Sequence, residues 1–146
     1  MLGTEPQIVQ EYVQTGKVKI VFWPVLNHGD PSFYSTLASE CVGQQNPDLF
    51  WAVHEVLFEN QSQLWRADRD YYVQTAVSVG ADQAQFEACY DGAEGTARVL
   101  ELDALRRERG IFSQPTFDIN GNVQGGAPRF EIFAAVLDDA YNAAIP

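Results

Sequence analysis

Two cysteines, Cys41 and Cys89, and two histidines, His28 and His54, are the side chains with which this chain could act as nucleophile, redox centre or metal ligand. They form no C-x-x-C, no H-x-x-x-H and no local Cys/His cluster, so a structural zinc site is not expected. His54 falls between Phe50 and Phe58 in a helical pattern, where a core or flank histidine is the plainer reading. His28 lies in a loop, whose polarity alone accounts for it. Spacing defines no carboxylate pair and no Ser/His/Asp arrangement. Neither a metal nor a cofactor is expected.

Each cysteine sits on the apolar stripe of a helical pattern: Cys41 follows Phe33 and Leu37 at four-residue steps, and Cys89 follows Phe86. Such placement favours burial over reactivity. A catalytic pair, a structural disulfide and two inert thiols all remain open at this level.

A second stretch with chemical meaning is Gly110-Ile111-Phe112-Ser113-Gln114-Pro115-Thr116-Phe117-Asp118-Ile119-Asn120-Gly121. A charged helical segment stops at Gly110, an alternating run follows Pro115, and Asn120-Gly121 reads as a tight hairpin turn. Proline suits the first position of a strand, where its missing N–H costs least. An X-Pro bond is also the usual place for a cis peptide, although trans is far commoner.

The elements that must position these residues follow from periodicity and caps. Residues 4–15 read as a helix, with Ile8, Val9, Tyr12 and Val13 on one stripe and Gly16 at its end. Residues 17–23 read as a strand entering a buried sheet, ended by Pro24. Asp30-Pro31 and Asn46-Pro47 are helix starts, with an N-cap followed by proline in the first turn. Further helices are expected over 67–79, with Tyr72, Val73, Ala76 and Val77 inward, and from Asp82, whose partner Gln85 makes a variant capping box. The longest helix spans 94–109, carrying Val99, Leu100, Leu102 and Leu105. A last one begins near Pro128, with Phe130, Phe133, Val136, Leu137 and Tyr141 inward. Strands split by a block of helices imply an α/β fold with an all-helical insertion.

Length and charge bound the rest. The chain has 146 residues, 46% of them hydrophobic, which suits one domain with its own core. Twenty acidic against nine basic residues give a net charge of −11, so no nucleic-acid partner is expected. The run Arg106-Arg107-Glu108-Arg109 reads as cations at the negative end of a helix dipole. No run approaches a membrane span, and the first residues lack the basic start and apolar stretch of a signal peptide.

This order of elements resembles the DsbA-like branch of the thioredoxin superfamily. The resemblance rests on Glu11-Tyr12-Val13-Gln14-Thr15-Gly16-Lys17-Val18-Lys19, on Ala38-Ser39-Glu40-Cys41-Val42-Gly43-Gln44-Gln45 and on Phe50-Trp51-Ala52-Val53-His54-Glu55-Val56-Leu57-Phe58. Phe86-Glu87-Ala88-Cys89 and Gln114-Pro115-Thr116-Phe117 with Asn120-Gly121 complete it, so it runs nearly end to end. It implies a single thioredoxin-like domain, with residues 1–29 and 94–146 as the thioredoxin part and 30–93 as the helical insertion. It makes Pro115 the family's cis-proline and Gln114 the variable residue before it, together a peptide-binding edge. It also favours a structural bridge between Cys41 and Cys89.

The family pattern opens with a strand and a C-x-x-C motif, which here would precede Met1. The expectation is therefore a truncated sheet with bare edges, prone to form a homodimer by strand or helix exchange. Dithiol exchange needs an activated thiolate and a resolving partner, so the chain as it stands is expected to be inactive in it. The activity implied by resemblance is thiol–disulfide exchange on extracytoplasmic proteins, in a periplasmic, secreted or membrane-tethered full-length protein. A non-catalytic peptide-binding or dimerisation module is the alternative. A glutathione-dependent isomerase or transferase on the same fold is a further one.

Overall fold

Local signals set the helix starts in the computed structural model, which describes residues 3–145. Asn46 accepts the Asp48 amide at 2.9 Å and opens α3 (Pro47–Glu59). Asp68 accepts the Tyr71 amide at 2.9 Å before α4 (Arg69–Ser78), and Asp82 accepts the Gln85 amide at 2.8 Å before α5 (Gln83–Tyr90). Each bond satisfies one of the donors that a helix N-terminus leaves open. α2 (Asp30–Gly43) starts one residue earlier than the sequence suggests, with Gly29 at the cap and Asp30 in the first turn. α6 (Ala93–Glu108) is the longest helix.

These helices, with the residues between them, form one compact unit from Pro24 to Arg109. The unit takes in α6, which the family resemblance places in the thioredoxin part of the domain. Leu37, Val42, Val53, Tyr72, Phe86 and Val99 fill its core, each at most 2% exposed. Val77 and Leu100 do not join it. They are 43% and 55% exposed, because their helices turn other residues inward. Gln45 fixes the α2–α3 corner against the start of α5: its Nε2 donates to the Asp82 carbonyl and its Oε1 accepts the Asp82 amide.

The second unit comprises residues up to Trp23 and those from Gly110 onward. Its first helix begins as α1 (Glu5–Ile8) and widens over Val9–Val13 into π geometry, where Val9 accepts the Gln14 amide. The hairpin pairs β1 (Thr116–Ile119) antiparallel with β2 (Asn122–Gly125), Ile119 facing Asn122 and Phe117 facing Gln124. Asn120 at φ 52° and Gly121 at φ 92° make the two left-handed turn positions, for which Asn-Gly is the preferred pair. α7 (Phe130–Ala144) lays Phe133 and Leu137 against Ile8 and Tyr12, with Phe117, Ile119, Val18 and Ile20 at the border of that cluster. The Tyr12 hydroxyl donates to the Ala134 carbonyl at 3.1 Å.

Residues 17–23 correct the sequence reading. They form no strand: the sheet of the described residues is the two-stranded hairpin alone. The period-2 pattern survives, with Val18 and Ile20 half-buried and Lys17, Lys19 and Val21 exposed. A strand also needs a neighbour's N–H and C=O groups, and neither β1 nor β2 pairs with this segment. The pattern reports burial on one side and says nothing of a ladder.

Candidate functional site

The Pro115 stretch begins where α6 gives out. Gly110 takes φ 74°, Ile111 turns into the interior, and Phe112 is left 67% exposed. Gln114 is exposed, Pro115 is half-buried, and the peptide bond between them is cis. The Thr116 hydroxyl donates to the Ser113 carbonyl at 2.7 Å and closes the turn ahead of the strand. At the other end of the hairpin, Asp118 Oδ1 accepts the Gly121 amide at 2.7 Å.

The hairpin register decides which backbone groups are spent. In a two-residue hairpin the turn-flanking pair exchanges hydrogen bonds and every second pair does so again. Ile119 with Asn122 and Phe117 with Gln124 are therefore the bonded pairs, and the Gly126 amide donates to the Pro115 carbonyl in the same rhythm. The N–H and C=O of Thr116 and Asp118 point to the other edge of β1, where no strand lies among the described residues. Such an edge can take an extended peptide by main-chain pairing.

Cys41 on α2 and Cys89 on α5 are joined in a disulfide, with Cα atoms 5.6 Å apart and a sequence separation of 48. Cys41 is buried and Cys89 partly so. Gly95 on α6 makes room for the bridge: a Cβ there would stand 2.6 Å from the Cys89 carbonyl, 2.9 Å from Leu37 Cδ1 and 3.4 Å from Cys41 Sγ. Both cysteines belong to the helical unit, and Gln114 and Pro115 to the other.

His54 is buried at 7% exposure, its ring 4.4 Å from that of Phe58 and 6.1 Å from that of Phe50. Burial pushes its imidazole down to about 4, so it is neutral at pH 7. His28 is exposed, its amide donating to Ser32 Oγ. Among the described residues no group of His, Cys, Asp and Glu could hold a metal ion.

Arg106 and Arg107 lie in the last turn of α6, as the run suggests, and Arg106 is also buried. Arg106 is 4% exposed and donates from Nε at 2.8 Å and Nη2 at 2.6 Å to Asp103 Oδ1, while Arg107 Nε donates to Oδ2 at 2.9 Å. Burial alone would raise the Asp103 carboxyl. The hydrogen bonds from Arg106, with those from Arg107, more than reverse this and hold it below the usual carboxylate range. The i, i+3 spacing of Asp103 and Arg106 was the available signal.

A family model described as thioredoxin matches residues 2–139. The chain belongs to the thioredoxin superfamily, in its DsbA-like branch. Disulfide bond formation protein D of Bacillus subtilis (strain 168) is 45% identical over 56 residues, which cover 38% of this chain and 25% of that protein. The match thus spans a quarter of that relative's length. No solved structure gives a significant match. The fold is α/β and thioredoxin-like, mostly helical, with a small two-stranded sheet and a helical insertion. Among the described residues no helix is long and apolar enough to cross a membrane.

Proposed function

We propose that this chain is the substrate-facing part of a DsbA-like thiol–disulfide oxidoreductase acting on extracytoplasmic proteins. The observation that carries the reading is the placement of Pro115 at the head of β1, whose outer edge has no strand beside it among the described residues. An extended segment of a protein substrate pairs with the outward-facing backbone of Thr116 on β1, and the exposed Gln114 amide meets its side chains. Residues 1–29 and 94–146 then serve as the thioredoxin part of one domain, with 30–93 as its insertion. Cys41 and Cys89 serve structurally. Thiol exchange requires a free thiolate, and both cysteine sulfurs of this chain are committed to one bridge.

The test joins two measurements on the 146-residue chain. Titration with an unfolded, cysteine-free peptide of alternating apolar residues should perturb the amides of Gln114, Thr116 and Asp118. Insulin reduction by dithiothreitol should proceed at its background rate. No perturbation at the edge would remove the substrate reading, and an accelerated reduction would remove the structural role of the bridge.

The same edge favours a second reading, in which it pairs with a second copy of the chain and the protein works as a homodimer. A single monomeric species in sedimentation across a hundredfold concentration range would exclude this.

A further inference from the structure

The α2–α3 corner and α6 line an open concavity within the helical unit, of about 310 Å³. Phe50 and Trp51 form its apolar wall, and Glu40 and Arg98 its charged groups. Gly43 permits this shape, since a Cβ there would come within 3.1 Å of Phe50 Cδ2. The Phe50 and Trp51 rings meet edge to face at 5.3 Å, which leaves the Trp51 indole 37% exposed. The Gln45–Asp82 bonds hold the corner in place without any ligand.

The two charges of the lining cancel formally, but Arg98 is shared with Glu101, a carboxylate outside the lining. Arg98 donates to Glu101 at 2.8 Å and stands 3.7 Å from Glu40, so its strong bond goes to the outer carboxylate. Glu40, with its side chain 21% exposed, keeps the longer contact. Burial pushes the Glu40 carboxyl up, and Arg98 offsets this only in part. Two carboxylates share one guanidinium, in a unit holding 14 acidic residues, 6 arginines and no lysine.

We infer that this pocket is a docking site for an arginine side chain from a partner protein. A guanidinium stacks on the Trp51 indole, with which a cation interacts within about 6 Å of the ring centroid. It donates to Glu40, the planar fork matching a carboxylate as an ammonium does not. The volume suits one long side chain. The acidic surroundings draw a cationic segment in and keep an anionic one out. This site is separate in chemistry from the Pro115 edge and stands without the reading given to that edge.

The test is a titration of the 146-residue chain, followed by amide and indole NMR, with acetyl-Gly-Gly-Arg-Gly-Gly-amide and its citrulline analogue. The arginine peptide should shift the Trp51 indole N–H and the Gln44 amide, and the citrulline peptide should not. Glu40→Gln should weaken binding about tenfold or more, as expected for a partly desolvated charge pair. Asp70→Asn removes an equal charge from a side chain that is 80% exposed and should leave binding unchanged. Trp51→Leu, at an exposed ring, should weaken binding too and covers the case in which Glu40→Gln fails to fold. Equal shifts with citrulline, or equal losses in Glu40→Gln and Asp70→Asn, would overturn the proposal in favour of diffuse attraction.

Discussion

The Gly126 amide donates to the Pro115 carbonyl at 2.9 Å, one step beyond the last pair of the β1–β2 ladder. The bond consumes the inward carbonyl of Pro115 and leaves the next residue, Thr116, to face outward with both backbone groups. Thr116→Pro therefore removes a donor at the open edge without touching the ladder to β2. Peptide binding and self-association should both fall at least tenfold in this variant. Thr116→Val, which keeps the N–H and loses only the hydroxyl bond to Ser113, should retain them. Sedimentation and peptide titration of the pair distinguish edge pairing from general damage.

The Cys41–Cys89 bridge closes 48 residues, for which chain entropy gives a stabilisation of about 4 kcal/mol. The double variant Cys41→Ala/Cys89→Ala should lower the melting temperature by about 10 °C in a chain of this size. Dithiothreitol should do the same to the native chain and leave the variant unmoved. Scanning calorimetry with and without reductant checks this.

Acid should find the protein at His54. Its folded-state value of about 4 lies below the ordinary 6.5 because burial opposes the charged ring. Above pH 6.5 both folded and unfolded chains hold it neutral, and the native packing is at full strength. Between pH 6.5 and 4 the unfolded chain gains a proton that the folded chain refuses, so stability falls through this window. The loss approaches about 3 kcal/mol at its lower end. Urea unfolding of His54→Phe from pH 7 to 4 should show a flatter profile than that of the native chain.

Asp103 and Arg106 behave as a buried pair, in which the loss of one partner is worse than the loss of both. Arg106→Met should cost about 3–5 kcal/mol by stranding the carboxylate. Adding Asp103→Leu should recover part of that loss. Because the Asp103 carboxyl is held low, its contribution persists above the ordinary carboxylate range and fades as pH falls through the lowered value. A double-mutant cycle in urea at pH 7 measures the coupling.

The elements readable in the sequence were those whose cause is local. Asn46, Asp82 and Asn120-Gly121 carry their instructions within four residues, and the structure uses each as expected. Residues 17–23 were misread because strand identity belongs to a pair of segments, and alternation in one of them reports only which side is dry. The place of Arg106 in the last turn of α6 was readable from the run, but its burial was not, since the residue type gives no sign of it. Val77 and Leu100 show the converse, apolar residues that no neighbour covers. At the candidate site, no local pattern joined Cys41 to Cys89 or set the free edge of β1. The resemblance supplied the bridge, and the register supplied the edge.

Both lysines of the chain, Lys17 and Lys19, lie in the segment 17–23, which pairs with neither β1 nor β2, and both are exposed. Acylating reagents that seek lysine, and proteases that cleave after it, thus meet the chain at a single place. A strand that came to lie along this segment would shield it, and the rate of lysine acetylation would then count how many molecules have found a neighbour.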